Sequence, residues 1–237
     1  MNHVTKTVAG LSMVVFVGVA NAGFGDFAKS ATAPSGGGAS VDVKGLSAKF
    51  DTSVLAIGMA RKQLLEAQID LGAALGIKEQ VDKALAAAAV INDGGIVQAK
   101  TVDAVEKQVN ASKDVSALVK TAAEKNQPLT EEGKKLYNSA MEKFGLGLVA
   151  EGAQIATLVV ITKEIKDSAQ KVKTDPMQGA KVAAMVPPAV KLLSLVPGDV
   201  KEMSGTYQLM RKVGADNKIE VKEIDTKDFL NSAQDSK

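Results

Sequence analysis

The chain has 237 residues, 46% of them apolar but only 3% aromatic, and a formal net charge of +2. Near-neutrality gives no electrostatic footprint for nucleic acid and no strong pull towards anionic lipid. With no Cys and a single His, His3, the body of the protein lacks the residues for disulfides, for thiol or Ser-His catalysis, and for the usual zinc, copper or haem ligand sets.

Residues 1–22 read as a secretory signal peptide. Lys6 supplies the charge, Thr7 to Val19 the apolar core, and Ala20-Asn21-Ala22 an A-x-A cleavage site. Cleavage removes His3 and Lys6 and takes the formal charge from +2 to +1. The expected address is the periplasm or the medium. Residues 23–44 read as a flexible linker, because Ser30 to Ser40 is built of Gly, Ser, Ala, Thr and Pro. Phe24 and Phe27 precede it as a short anchor or as part of an unstructured start.

Residues 45–214 carry helical patterning throughout. Phe50, Val54, Ile57, Leu64, Leu71 and Leu75 recur on one face from about Leu46. Arg61 and Gln68 interrupt that stripe, so a partly wet face is expected. Gly76 suits a helix end or hinge. A second helix is expected from Ile77 to Ile91, stopped by Asn92-Asp93-Gly94-Gly95. A third spans Val102 to Lys125 with Thr101 as N-cap. Its thin stripe of Val102, Val105, Val109, Ser112, Ser116 and Val119 predicts a place at the bundle edge. Asn126-Gln127-Pro128 ends it.

Thr130 caps the next helix, with Glu131 and Glu132 in the first turn where the helix dipole favours acids. This helix reaches towards Lys173. Its stretch Phe144–Ile161 carries one charge, Glu151. Gly145, Gly147 and Gly152 in that stretch imply close approach of neighbouring backbones. Beyond Asp175-Pro176, residues 177–196 continue as a helix that Pro187-Pro188 should kink or break. A short helix is expected from Gly198 to Val213, ended by Gly214. Residues 215–237 form a short irregular tail, with weak alternation at Ile219, Val221 and Ile224.

The expected fold is all-α: an antiparallel bundle of about four long helices with kinked or broken segments, after a tether and before the tail. No catalytic, cofactor or metal site is expected. The tail acids Asp216, Glu220, Asp225 and Asp228 lack the spacing of a calcium loop. Ser112-Lys113 and the Ser168–Lys171 stretch read as surface pairs on helices. Glu151 shares a stripe with Tyr137, Met141, Phe144, Leu148, Ile155 and Leu158. It reads either as rotated to the solvated rim or as a buried charge paired with Arg61 or Lys191. A groove between helices lined by Met141, Phe144, Leu148, Met185 and Leu192 is the expected ligand surface, with core packing as the alternative use of those residues. The functional expectation is an exported, non-enzymatic binding or scaffold component of the cell envelope. Its partner would be an envelope protein or an apolar ligand. The alternative is a membrane-inserting bundle that uses residues 144–161, whose length approaches the hydrocarbon core.

Overall fold

A computed structural model describes residues 41–125, 127–172 and 176–221. The signal and almost all of the linker lie outside the described residues, as does the tail beyond Val221. The fold is all-α. Among the described residues five helices run in chain order: α1 (Val43–Ala74), α2 (Lys78–Ala87), α3 (Val102–Glu124), α4 (Glu131–Lys171) and α5 (Pro176–Asp216). Between α2 and α3 lies a hairpin of β1 (Ile91–Asn92) and β2 (Gly95–Ile96), paired antiparallel with Ile91 opposite Ile96.

Side-chain caps fix most helix starts. Asp42 accepts from the Gly45 N–H at 2.9 Å, which begins α1 two residues before the expected start of the bundle domain. Thr101 caps α3 through Ala104 N–H at 3.2 Å, and Thr130 caps α4 through Gly133 N–H at 3.0 Å. The second helix is shorter than expected. It stops at Ala87, Ala89 takes the left-handed region (φ 54°), and the hairpin turns inwards so that Val90 and Ile96 are buried. Alanine propensity alone would have carried the helix to Ile91. Burial of Val90 and Ile96 outweighs it.

The four long helices occupy the corners of a square. α4 borders α1 and α5, and α3 borders the same two helices from the other side. α4 runs against α1, as Lys49–Glu164, Arg61–Glu151 and Asp70–Lys143 pairing requires. It also runs against α5, with Tyr137 donating to the Met210 carbonyl and Phe144 stacking on Tyr207. α3 runs in the same direction as α1 and α5, because α2 and the hairpin first carry the chain back along α1. Gly58 permits that return. A Cβ there would stand 2.1 Å from the Ala99 carbonyl oxygen.

The helices are staggered. α3 begins level with Pro187 and Lys191, since Lys191 reaches Asp103 at 2.9 Å and Glu106 at 2.7 Å. The first turns of α5 therefore extend past the start of α3. α5 is continuous from Pro176 to Asp216 with Pro187, Pro188 and Pro197 inside it. The expected break at Pro187-Pro188 and the separate helix after Pro197 do not occur. The prolines leave the carbonyls of Ala183, Ala184 and Leu193 without their usual helical donors. Ala183 and Ala184 are exposed, so water can satisfy those two carbonyls. Packing on α4 holds the helix together elsewhere.

The helix also runs past Gly214 to Asp216. Lys218 takes the left-handed region (φ 57°), and Asn217 ties the end down by accepting from Leu129 N–H at 2.9 Å. Residues 219–221 form no strand.

A cluster built around Leu64, Leu71, Val115, Met141, Phe144, Leu148, Met203 and Tyr207 fills the centre. Gly147 faces α1, where a Cβ would meet Leu64 Cγ at 2.8 Å. The prediction of close backbone approach is realised at that glycine.

Candidate functional site

Polar side chains line the inside of the bundle at two levels. The first level holds Arg61 from α1, Glu151 from α4 and Asp199 from α5, each with 0% exposure. Arg61 Nη1 donates to Glu151 Oε2 at 3.3 Å and to Asp199 Oδ2, and Nη2 donates to the Gln108 carbonyl at 3.0 Å. Arg61 Nε, Glu151 Oε1 and Asp199 Oδ1 have no hydrogen-bond partner among the described residues. Burial pushes the Glu151 carboxyl up to about 8, with Arg61 pulling against it and Asp199 adding to the rise. Burial likewise raises Asp199 despite Arg61 beside it. Burial works against the Arg61 charge, but Asp199 and Glu151 hold its pKa above the ordinary value.

The second level lies two helical turns further along α1. Gln68 donates to the Ser112 carbonyl at 3.1 Å and to Ser116 Oγ at 2.8 Å, while Ser112 Oγ returns a bond to Gln68 Oε1 at 2.9 Å. Met203 sulfur lies 3.3 Å from Ser112 Oγ. The α1 face carrying Arg61 and Gln68 is therefore dry, not partly wet. The Arg61 Nη groups and Gln68 find their partners on other helices instead of water, while Arg61 Nε has none among the described residues. Ser112 belongs to this interior network and is no surface partner of Lys113, whereas Ser168 is half-buried.

Glu151 takes the buried arrangement with Arg61 as its partner. Lys191 lies elsewhere, bridging α5 to Asp103 and Glu106 of α3. Asp199 is not apparent from the sequence, because Gly198 after Pro197 suggests the start of a separate short helix. Leu192, Val196, Asp199 and Met203 are all buried and follow a 4-3-4 spacing on α5. An acid at a core position of that stripe is the signal that would have found it.

The groove expected along Met141, Phe144, Leu148, Met185 and Leu192 is not open. Met141, Phe144 and Leu192 have 0% exposure and Leu148 has 1%, while Met185 is half-buried. Phe144 stacks on Tyr207 with centroids 6.0 Å apart. An apolar stripe enclosed by neighbouring helices is core, and Met141, Phe144, Leu148 and Leu192 are used that way.

An uncharged surface lies on the outside of α4. From Phe144 to Thr162 the exposed residues are Leu146, Ala150, Ala153, Ala156, Val159 and Val160. Leu146 is 47% exposed and Val160 42%. The one charge of that stretch, Glu151, points inwards. The N-terminal half of α5 also presents apolar residues outwards, including Met177, Ala184, Pro187 and Val190. Both helices are long and apolar enough to cross a membrane, but they differ in burial. The most apolar 18-residue window is 56% buried in α4 and 22% buried in α5.

Among the described residues no group of three or more His, Cys, Asp or Glu is placed to hold a metal ion. Comparison with known proteins finds no matching family model, no similar curated protein and no similar solved structure.

Proposed function

We propose that the protein is an exported, non-enzymatic component of the cell envelope that binds or scaffolds through the outer face of α4. The observation carrying this reading is the uncharged surface from Leu146 to Val160, where four turns of helix expose Leu, Ala and Val only. Water-facing helices normally carry charge there, and contiguous exposed apolar surface marks contact sites. The partner is an envelope protein or an apolar ligand. The leader-like residues 1–22 support the address, and the absence of His and Cys after them supports a role without nucleophilic or soft-metal chemistry. The test is a photo-crosslinking residue at position 153 in cells, with a second at the charged outer position 163. A specific adduct from 153 and none from 163 supports the reading. No adduct from 153 defeats it. N-terminal sequencing of the isolated protein should begin at Gly23.

The second reading is membrane insertion, favoured by the sparsely buried apolar window of α5 beside the apolar outer face of α4. Glu151 and Asp199 count against it, since an acid at mid-membrane costs about 2.5–3.5 kcal/mol. Dye-loaded liposomes separate the two readings. Absence of leakage at every pH tested removes insertion and leaves the contact role standing.

A further inference from the structure

Three ionisable groups meet in the core, and their charges do not cancel. Arg61 brings one positive charge, while Glu151 and Asp199 would bring two negative ones. Both carboxyls accept from the same nitrogen, Arg61 Nη1, so they are immediate neighbours. The other oxygen of each, Glu151 Oε1 and Asp199 Oδ1, is buried and meets no donor. Two carboxylates that share a dry site strongly oppose double ionisation. The surroundings offer no remedy. Glu151 feels Arg61 and Asp199. Asp199 also feels Lys113 from α3 and Glu202 from its own helix, which are of opposite sign and both half-buried.

We propose that the centre of the bundle is a binding site for a single proton, held between Glu151 and Asp199 beside Arg61 and taken up as the chain folds. The proton supplies the missing donor for one orphaned oxygen and leaves one carboxylate to pair with the guanidinium. It thereby joins α1, α4 and α5 at one level.

The sign of the linkage follows from the direction of the shift. In the unfolded chain Glu151 releases its proton near its ordinary value of 4.5, whereas in the fold it holds the proton up to about 8. Between those values the folded protein carries one more proton than the unfolded chain. The resulting stabilisation is complete below 4.5 and is lost as pH rises through about 8. Within the window, the unfolding constant rises by up to about tenfold per pH unit. An ordinary ion pair with both acids ionised has the opposite sign, because its carboxyls would be depressed and its stability would grow with pH.

The test is urea unfolding of the mature protein across that window, for the wild type, Glu151→Gln and Asp199→Asn. Either substitution leaves one anion for Arg61 and removes the need for the proton. Each should abolish the core's share of the pH slope, lowering the dependence of log K for unfolding by about one unit per pH unit. Infrared spectra of the folded wild type at neutral pH provide a second measurement that needs no variant to fold. They should show a carboxylic-acid carbonyl band that disappears as the pH is raised past about 8. Absence of that band at neutral pH overturns the proposal. So do variants that fold and keep the wild-type slope.

Discussion

Replacing Arg61 by Met removes the only cation of the buried cluster while keeping most of the side-chain volume. Arg61 has 0% exposure and donates to Glu151, to Asp199 and to the Gln108 carbonyl. Without it, two carboxyls and one backbone carbonyl lose their donor. Breaking one partner out of a buried ion cluster costs about 3–5 kcal/mol. That is a large fraction of the 5–15 kcal/mol that a domain typically has. The loss must also depend on pH. In acid both carboxyls can go neutral, whereas above about 8 the wild-type Glu151 ionises beside Arg61 and the variant has no cation to offset it. Urea unfolding followed by far-UV circular dichroism at acid and alkaline pH measures both effects. A companion variant that makes all three positions apolar should recover most of the stability, because a packed apolar core is often at least as stable as a buried ion cluster. A loss for Arg61→Met below about 1 kcal/mol at every pH would refute the reasoning. It would mean that the cluster opens to water.

Four further outcomes are expected. Gly147→Val should cost about 1–3 kcal/mol in chemical unfolding, since even its Cβ would stand 2.8 Å from Leu64 Cγ. Tyr137→Phe removes a buried bond to the Met210 carbonyl and should cost about 1 kcal/mol in the same assay. Thr130→Ala removes the cap on Gly133 N–H and should lower the melting midpoint, at a cost of about 1 kcal/mol. Ala156→Lys lies on the exposed face of α4 and should change stability by no more than about 0.5 kcal/mol. The same variant should abolish cross-linking from position 153, which separates a contact surface from a packing requirement.

The helical class and most helix starts were legible because their causes are local. Thr101 and Thr130 sit where their hydroxyls reach an N–H three residues on, and Gly76 marks the end of α1 with φ 72°. The interior polar network was not legible in the same way. Arg61 meets its acids 90 and 138 residues away, and Gln68 meets Ser116 at a separation of 48. No local pattern joins them, so an interrupted stripe looked wet when it was dry. The continuity of α5 was hidden for a related reason. Proline penalises a helix locally, whereas the compensation comes from α4 across the bundle. The groove residues share an apolar character, and that property does not distinguish a lined cleft from a filled core.

The stagger of the helices divides the molecule into a firm part and a loose part. Where α3 is present, α5 is gripped from two sides. Before Pro187 it leans mainly on α4, and its ladder is missing donors at the boundary. Amides of residues 177–186 should therefore exchange with deuterium through local opening, well before those of residues 196–210, which await global unfolding. Peeling of this end of α5 would uncover the end of α4, where the buried Val172 lies beside Gly179. The bundle thus has a defined end from which it can unzip without giving up its centre.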